Sequence, residues 1–197
     1  MRRLAVALAI VCAAASVARA ASNWEIDPAH TSAHFAVKHL MVSTVRGTMG
    51  AVTGTAVFDE ADISKSSVQA TIDVAGIDTR EPKRDAHLKS PEFLDAGKFP
   101  TITFKSKTIE SVAPDKFKMI GDLTIRGVTK EVALDVEGTP KPLNDPFGKV
   151  RIGGSARTRI NRQDFGVNFS KMMDNGGLVV GNDVDVTIDI ELVKKAQ

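Results

Sequence analysis

Apolar and polar residues alternate with a period of two along most of the chain from Trp24 onward. Phe35, Val37 and His39 share one parity against His34, Ala36 and Lys38, and Val68, Ala70, Ile72 and Val74 oppose Gln69, Thr71 and Asp73. Ile102 and Phe104 oppose Thr101, Thr103 and Lys105, and Leu123 and Ile125 oppose Asp122, Thr124 and Arg126. Val132, Leu134 and Val136 follow an Arg126-Gly127 turn. Val150, Ile152, Gly154, Ala156 and Ile160 share a parity, and Val184 through Leu192 gives the clearest case, with Asp183, Asp185, Asp189 and Glu191 on its wet side. Alternation of this kind predicts strands with one dry and one wet face. A further strand region, Val45–Phe58, contains Gly47, Gly50 and Gly54, where glycine permits bulges and tight coiling. The pattern predicts about eight strands with no second layer to cover their dry faces, so the sheet must close on itself. The expected fold class is all-β: an antiparallel barrel carrying a short helical insert.

That insert is Thr79–Phe104, TREPKRDAHLKSPEFLDAGKFPTITF. Pro82 suits a first helical turn. Leu88, Pro91 and Phe93 or Leu94 recur at roughly helical spacing, and Phe99-Pro100 forces extended backbone into the strand Thr101–Lys107. Such an insert caps a barrel end, lids a pocket, or serves as a solvated connector.

Composition adds limits. The chain has 197 residues, 43% of them hydrophobic and 25% charged, which suits one globular domain. Residues 1–20 are expected to be a cleaved signal peptide: Met1-Arg2-Arg3, an apolar run Leu4–Val17, then Ala18-Arg19-Ala20, leaving residues 21–197 as the mature domain. The apolar run is too short for a bilayer span of about 20 residues, so no stable membrane insertion is expected. The single cysteine, Cys12, falls inside that segment, which leaves the mature chain no disulfide or thiol chemistry. Without Arg2, Arg3 and Arg19, 23 Lys and Arg face 24 Asp and Glu, a balance that argues against nucleic acid as a partner.

Chemistry in the chain is sparse. His30, His34, His39 and His87 lack a Cys or carboxylate cluster to complete a coordination shell, so no metal is expected. There is no G-x-S-x-G elbow and no glycine-rich phosphate loop, and Asp59 and Glu60 fall on opposite strand faces, so no catalytic residue is expected. By parity His39 points inward, as a hydrogen-bonded core residue or a ligand contact. Small inward residues (Gly50, Gly54, Ala70, Gly154, Ala156) leave room in a barrel of this size for one slender ligand. Arg84, His87, Arg159 and Arg162 are weighed as anion-holding groups against a solvated, ion-paired role.

Several of these segments carry a resemblance. WEIDPAHTSAHFAVKHL, the insert TREPKRDAHLKSPEFLDAGKFPTITF, GDLTIRGVTKEV, INRQDFGV and VGNDVDVTIDIEL occur in order, and together they resemble the YceI-like family of polyisoprenoid-binding periplasmic proteins, from about Trp24 to Leu192. The resemblance implies an extended, lipocalin-like barrel whose apolar lumen holds a long-chain amphiphile such as an isoprenoid quinone or polyprenyl phosphate. It implies a periplasmic carrier rather than an enzyme, with the amphiphilic isoprenoid lipid as partner, no cofactor beyond it, and a homodimer as a compatible assembly. Expected lumen contacts are Phe35, Val37, His39, Ile72, Phe93, Phe99, Ile102, Phe104, Leu123, Ile125, Phe165 and Ile188; expected headgroup contacts are Arg84, His87, Arg159 and Arg162. Leu94 and Phe99 stand where the family often carries other aromatic residues. Two other readings stay open: an enzyme acting on a lipidic substrate with His39 or His87 as acid–base, and a filled-barrel, stress-related structural protein.

Overall fold

The computed structural model describes residues 21–138, 141–174 and 176–196; the expected signal segment 1–20 lies outside them. The strands are β1 (Ser22–Ile26), β2 (Ser32–His39), β3 (Ser43–Thr48), β4 (Val52–Phe58), β5 (Ser67–Asp73), β6 (Thr101–Ala113), β7 (Lys116–Ile125), β8 (Val128–Glu137), β9 (Leu143–Asn144), β10 (Val150–Asn161) and β11 (Val180–Lys194). One α-helix, α1 (Pro82–Lys89), and short 3-10 turns at Ile63–Lys65 and Arg162–Phe165 complete the described elements.

Antiparallel pairing runs β11-β1-β4-β5-β6-β7-β8-β10, and β10 pairs back onto β11, closing a ring of eight strands. β2 and β3 lengthen this ring at one end. β1 pairs with Leu192–Lys194 of β11 and β2 with Val180–Asp189, so β1 and β2 are two halves of one course along the same strand. β3 and β4 likewise form one course, broken at Met49–Ala51. This corrects the single strand expected over Val45–Phe58. The break arises because β3 must follow β2 while β4 follows β1. Met49 N–H donates to Ala33 O (2.9 Å) and Gly50 N–H to Asp73 O (3.0 Å), so the corner keeps its backbone bonds.

Two sequence-local devices fix the turns. Arg126 (φ 51°) and Gly127 (φ 74°) join β7 to β8 with both central residues left-handed, the geometry of a tight hairpin. In α1, Pro82 occupies the first turn and the Glu81 side chain caps it by accepting from Lys83 N–H at 3.0 Å. The helix stops sooner than its apolar spacing suggests. Ser90 precedes Pro91 and is held extended (φ −72°, ψ 167°), so Phe93 and Leu94 are presented by turns.

The packed core lies at the two ends of the tube. One cluster surrounds Trp24, which is fully buried, meets Phe58 edge-on (centroids 6.3 Å apart) and donates its indole N–H to Ser22 Oγ at 2.9 Å. The other contains Val74, Phe93, Ile102, Ile125, Ile160, Phe165 and Val167. These are the Trp24 end and the Phe93 end.

The β1–β2 corner is tied to the barrel by Arg151, whose Nη1 donates to Asp27 Oδ2 (2.8 Å) and to Glu191, and whose Nε donates to Asp145 Oδ2 (2.6 Å). These bonds hold the Asp27 and Asp145 carboxyls below the ordinary carboxylate range, Asp27 most strongly. A carboxyl lowered on folding stabilises fully above its unfolded value of about 3.9, and that stabilisation disappears as pH falls through the folded value. Arg151→Met is therefore expected to lower stability most at neutral pH, with the gap from the native chain closing in acid. Urea unfolding at neutral and acid pH reads this, and a gap that does not change with pH contradicts it.

Candidate functional site

Pleating sends one parity of every barrel strand inward. Val68, Ala70 and Ile72 of β5, Ile102 and Phe104 of β6, Leu123 and Ile125 of β7, Leu134 and Val136 of β8, Ile152 and Ala156 of β10 and Val184 to Leu192 of β11 all line one central cavity. Its volume is about 340 Å³, within the range of ligand pockets, and it runs from Phe58, Ile109 and Phe117 to Phe93, Leu94 and Phe165. Few polar residues border it: His34, Ser66, Thr158 and Arg162.

The distribution of burial shows that the middle is hollow. A filled barrel buries its central residues most. Here the end residues Ile109, Phe93, Ile125, Ile160 and Phe165 are buried, while the mid-barrel residues Ala70, Phe104, Leu123, Ala156, Val186 and Ile188 are only half-buried. Their remaining exposed surface faces an internal space. Phe104 narrows that space by lying against Gly121, where a Cβ would come within 2.5 Å of the ring.

At the Phe93 end the tube is stoppered by aromatic packing. Phe93 stacks on Phe169 with centroids 4.7 Å apart, and the His87 ring stands edge-on to both, at 4.8 and 5.2 Å. The stopper is held from outside: Arg126 Nη1 donates to Phe93 O at 2.6 Å, and His87 pairs with Glu92. Arg84 donates from Nε to Thr79 Oγ1 (2.8 Å) and from Nη2 to Thr79 O (2.9 Å), which anchors α1 on the preceding loop.

Arg162 is the cation nearest the lumen. It is 6% exposed and bonded to neutral acceptors only: Gly181 O (2.9 Å), Val167 O (2.6 Å), Val180 O (3.2 Å) and Asn182 Oδ1 (3.0 Å). Burial pulls its pKa below the usual guanidinium value. It ties the start of β11 to the turn after Phe165, and most of its N–H groups are already used.

Of the residues expected at the lumen, Phe35, Val37, Ile72, Phe93, Ile102, Phe104, Leu123, Ile125, Phe165 and Ile188 line the cavity, as does Arg162. His39, Phe99, Arg84, His87 and Arg159 do not. His39 is the last residue of β2; it keeps the parity of Phe35 and Val37 and pairs with Val180, but it does not line the cavity. Phe99 packs outside, over Gly127. Arg159 points to solvent and pairs with Asp185 (2.6 Å), so the expected headgroup residues do not converge on one point.

Other lining residues were not among those expected. Phe117 and Met119 continue the parity of Leu123 and Ile125 and were legible in it. Ile109 was hidden by a register shift between Ser106 and Thr108 that reverses the alternation along β6. Met49, Ile77 and Leu88 come from loops and α1, where no two-residue period exists. Outside the barrel, Asp27, His30 and Glu191 bring ligand-type atoms within 4.8 Å of one another, but Arg151 already lies on both carboxylates, so a guanidinium fills the place a metal cation would take.

A closed antiparallel tube with a nearly all-apolar hollow is the architecture of a protein that encloses an apolar ligand. The YceI-like domain model matches residues 24–192, and the chain belongs to the YceI-like family. A UPF0312 protein of Staphylococcus aureus is 37% identical over 163 residues, which is 83% of this chain and 92% of the relative. The solved YCEI protein of Campylobacter jejuni superposes with a TM-score of 0.68 at 32% identity, covering 81% of this chain and 90% of that one. A polyisoprenoid binding domain from Saccharophagus degradans shares the fold, with a TM-score of 0.62 at 12% identity over 87% of this chain and 98% of that one.

Ala156→Phe tests the hollow directly. Adding a ring to a filled core costs about 1–3 kcal/mol. Here it is expected to change unfolding free energy by less than about 1 kcal/mol, because Ala156 faces space; a larger loss by urea titration contradicts the hollow lumen.

Proposed function

We propose that the chain is a carrier or reservoir for a long-chain isoprenoid lipid, an isoprenoid quinone or a polyprenyl phosphate, acting in the periplasm after removal of residues 1–20. The observation that carries this reading is the elongated cavity with almost no polar wall. Such a lumen rewards hydrocarbon. Burial of each methylene is worth about 0.8 kcal/mol, so even about 15 enclosed carbons would nominally gain about 12 kcal/mol, nanomolar affinity before the cost of ordering the chain. The tail therefore supplies ample affinity without any polar contact. The family and the polyisoprenoid-binding neighbour of the same fold support an isoprenoid tail over a straight fatty chain.

An acid–base role on the same lipid finds no support in the lumen: His39 and His87, the histidines weighed for it, do not line the cavity. Native mass spectrometry of gently purified chain, followed by lipid extraction, tests the carrier reading. The expected result is a bound prenyl lipid, displaced by added ubiquinone and blocked in Ala156→Phe. A bare protein mass that takes up neither ubiquinone nor polyprenyl phosphate sinks the reading.

A further inference from the structure

At the Phe93 end, the β2–β3 hairpin ends in a turn that puts apolar residues where solvent should be. Leu40 (φ 51°) and Met41 (φ 61°) both occupy the left-handed region, positions that ordinarily favour Gly, Asn or Asp, and Val42 N–H donates to His39 O (3.1 Å) to close the turn. Met41 is 58% and Val42 83% exposed. The turn presents both of these side chains to solvent. The tip is backed by Val179 and Lys171: Leu40 N–H donates to Val179 O (2.9 Å), and Val179 N–H donates to Lys171 O (2.9 Å). Met172, itself 68% exposed, thus stands beside the tip, roughly 10 Å away across two strand spacings. Two separately anchored loops present one apolar prominence.

Its surroundings are basic. From Lys38 to Arg46 the hairpin carries two cations and no carboxylate, and Lys171 adds a third beside Met172, with Asp174 the acid of that segment. Lys38, Arg46 and Lys171 make no ion pair among the described residues, whereas Lys107, Lys116, Lys118, Arg151 and Arg159 do; the three share this with other cations of the chain, such as Lys83 and Lys130. Apolar side chains with Lys38 and Lys171 close behind them match an anionic lipid surface, where the hydrocarbon enters the headgroup boundary and the cations meet phosphates; Arg46 lies further back, opposite Ala36 and near Asp78 and Asp185. The position matters as well. Val37 and Val180, just behind the tip, line the lumen, and Phe169, two residues before Lys171, stacks on the stopper Phe93.

We propose that the β2–β3 tip and Lys171–Met172 beside it form a membrane-contact surface for an anionic phospholipid bilayer, placing the stoppered end of the lumen against the lipid. This goes beyond the carrier reading and stands whatever the lumen holds. Contact is made by loop tips; no described helix is long and apolar enough to cross a bilayer.

Flotation of the purified chain with phosphatidylethanolamine–phosphatidylglycerol vesicles, against phosphatidylcholine vesicles and at low and high salt, is the test. Expected is binding to the anionic vesicles that weakens with salt. The combined substitution Met41→Ser and Val42→Ser, at exposed positions that leave the fold intact, weakens it by about tenfold, equal to about 1.4 kcal/mol. Lys38→Gln with Lys171→Gln reduces the salt dependence. Phe147→Ser, which alters an exposed ring (86%) at the Trp24 end, leaves binding unchanged. Lipid occupancy by native mass spectrometry is expected to be the same in all variants, which separates this surface from the lumen. The proposal is overturned by absence of binding to anionic vesicles, by full binding of the Met41/Val42 variant, by loss in Phe147→Ser, or by a solution dimer that the tip substitutions dissolve while vesicles bind nothing.

Discussion

Everything in this molecule depends on closing a ring of backbone hydrogen bonds. Once β10 pairs with both β8 and β11, every strand of the eight has two neighbours, and the pleat must divide each strand's side chains between an inside and an outside. The radius is then set by strand number and tilt rather than by side-chain volume. Filling the enclosed space would need bulk at mid-barrel, and the chain supplies Ala70, Gly154 and Ala156 there. A hollow results from a conflict between a fixed circumference and small inward residues.

A tube held open in the middle has to obtain its packing at the ends. Trp24, Ile26 and Phe58 close one end, Phe93, Phe165 and Val167 the other, and the polar groups required at those places are tied to backbone or to each other. Arg162 shows the principle most clearly. It is a buried cation kept tolerable by carbonyl oxygens, and it fixes the segment that runs from the stopper into β11. Affinity for hydrocarbon is thereby assigned to the middle and structural rigidity to the ends.

The sequence revealed most of this where a single period persists. β5, β7, β10 and most of β11 keep their alternation for their whole lengths, and the lumen face read from them is the face observed. It failed where the period breaks. The shift at Ser106–Thr108 hid Ile109, and the β3–β4 corner divided an apparently continuous strand. The arginines were misread for a different reason. A charged residue near the right place in sequence says nothing about its partner in space, and Arg84 and Arg159 found theirs in Thr79 and Asp185.

The central claim is that the middle of the barrel is empty of protein atoms and apolar. Crystals of the delipidated chain held under xenon examine it most directly, since xenon occupies dry apolar cavities. The expected result is ordered xenon between Phe104, Ala156 and Ile188. Side chains meeting across that space, or a file of ordered water within it, would contradict the account.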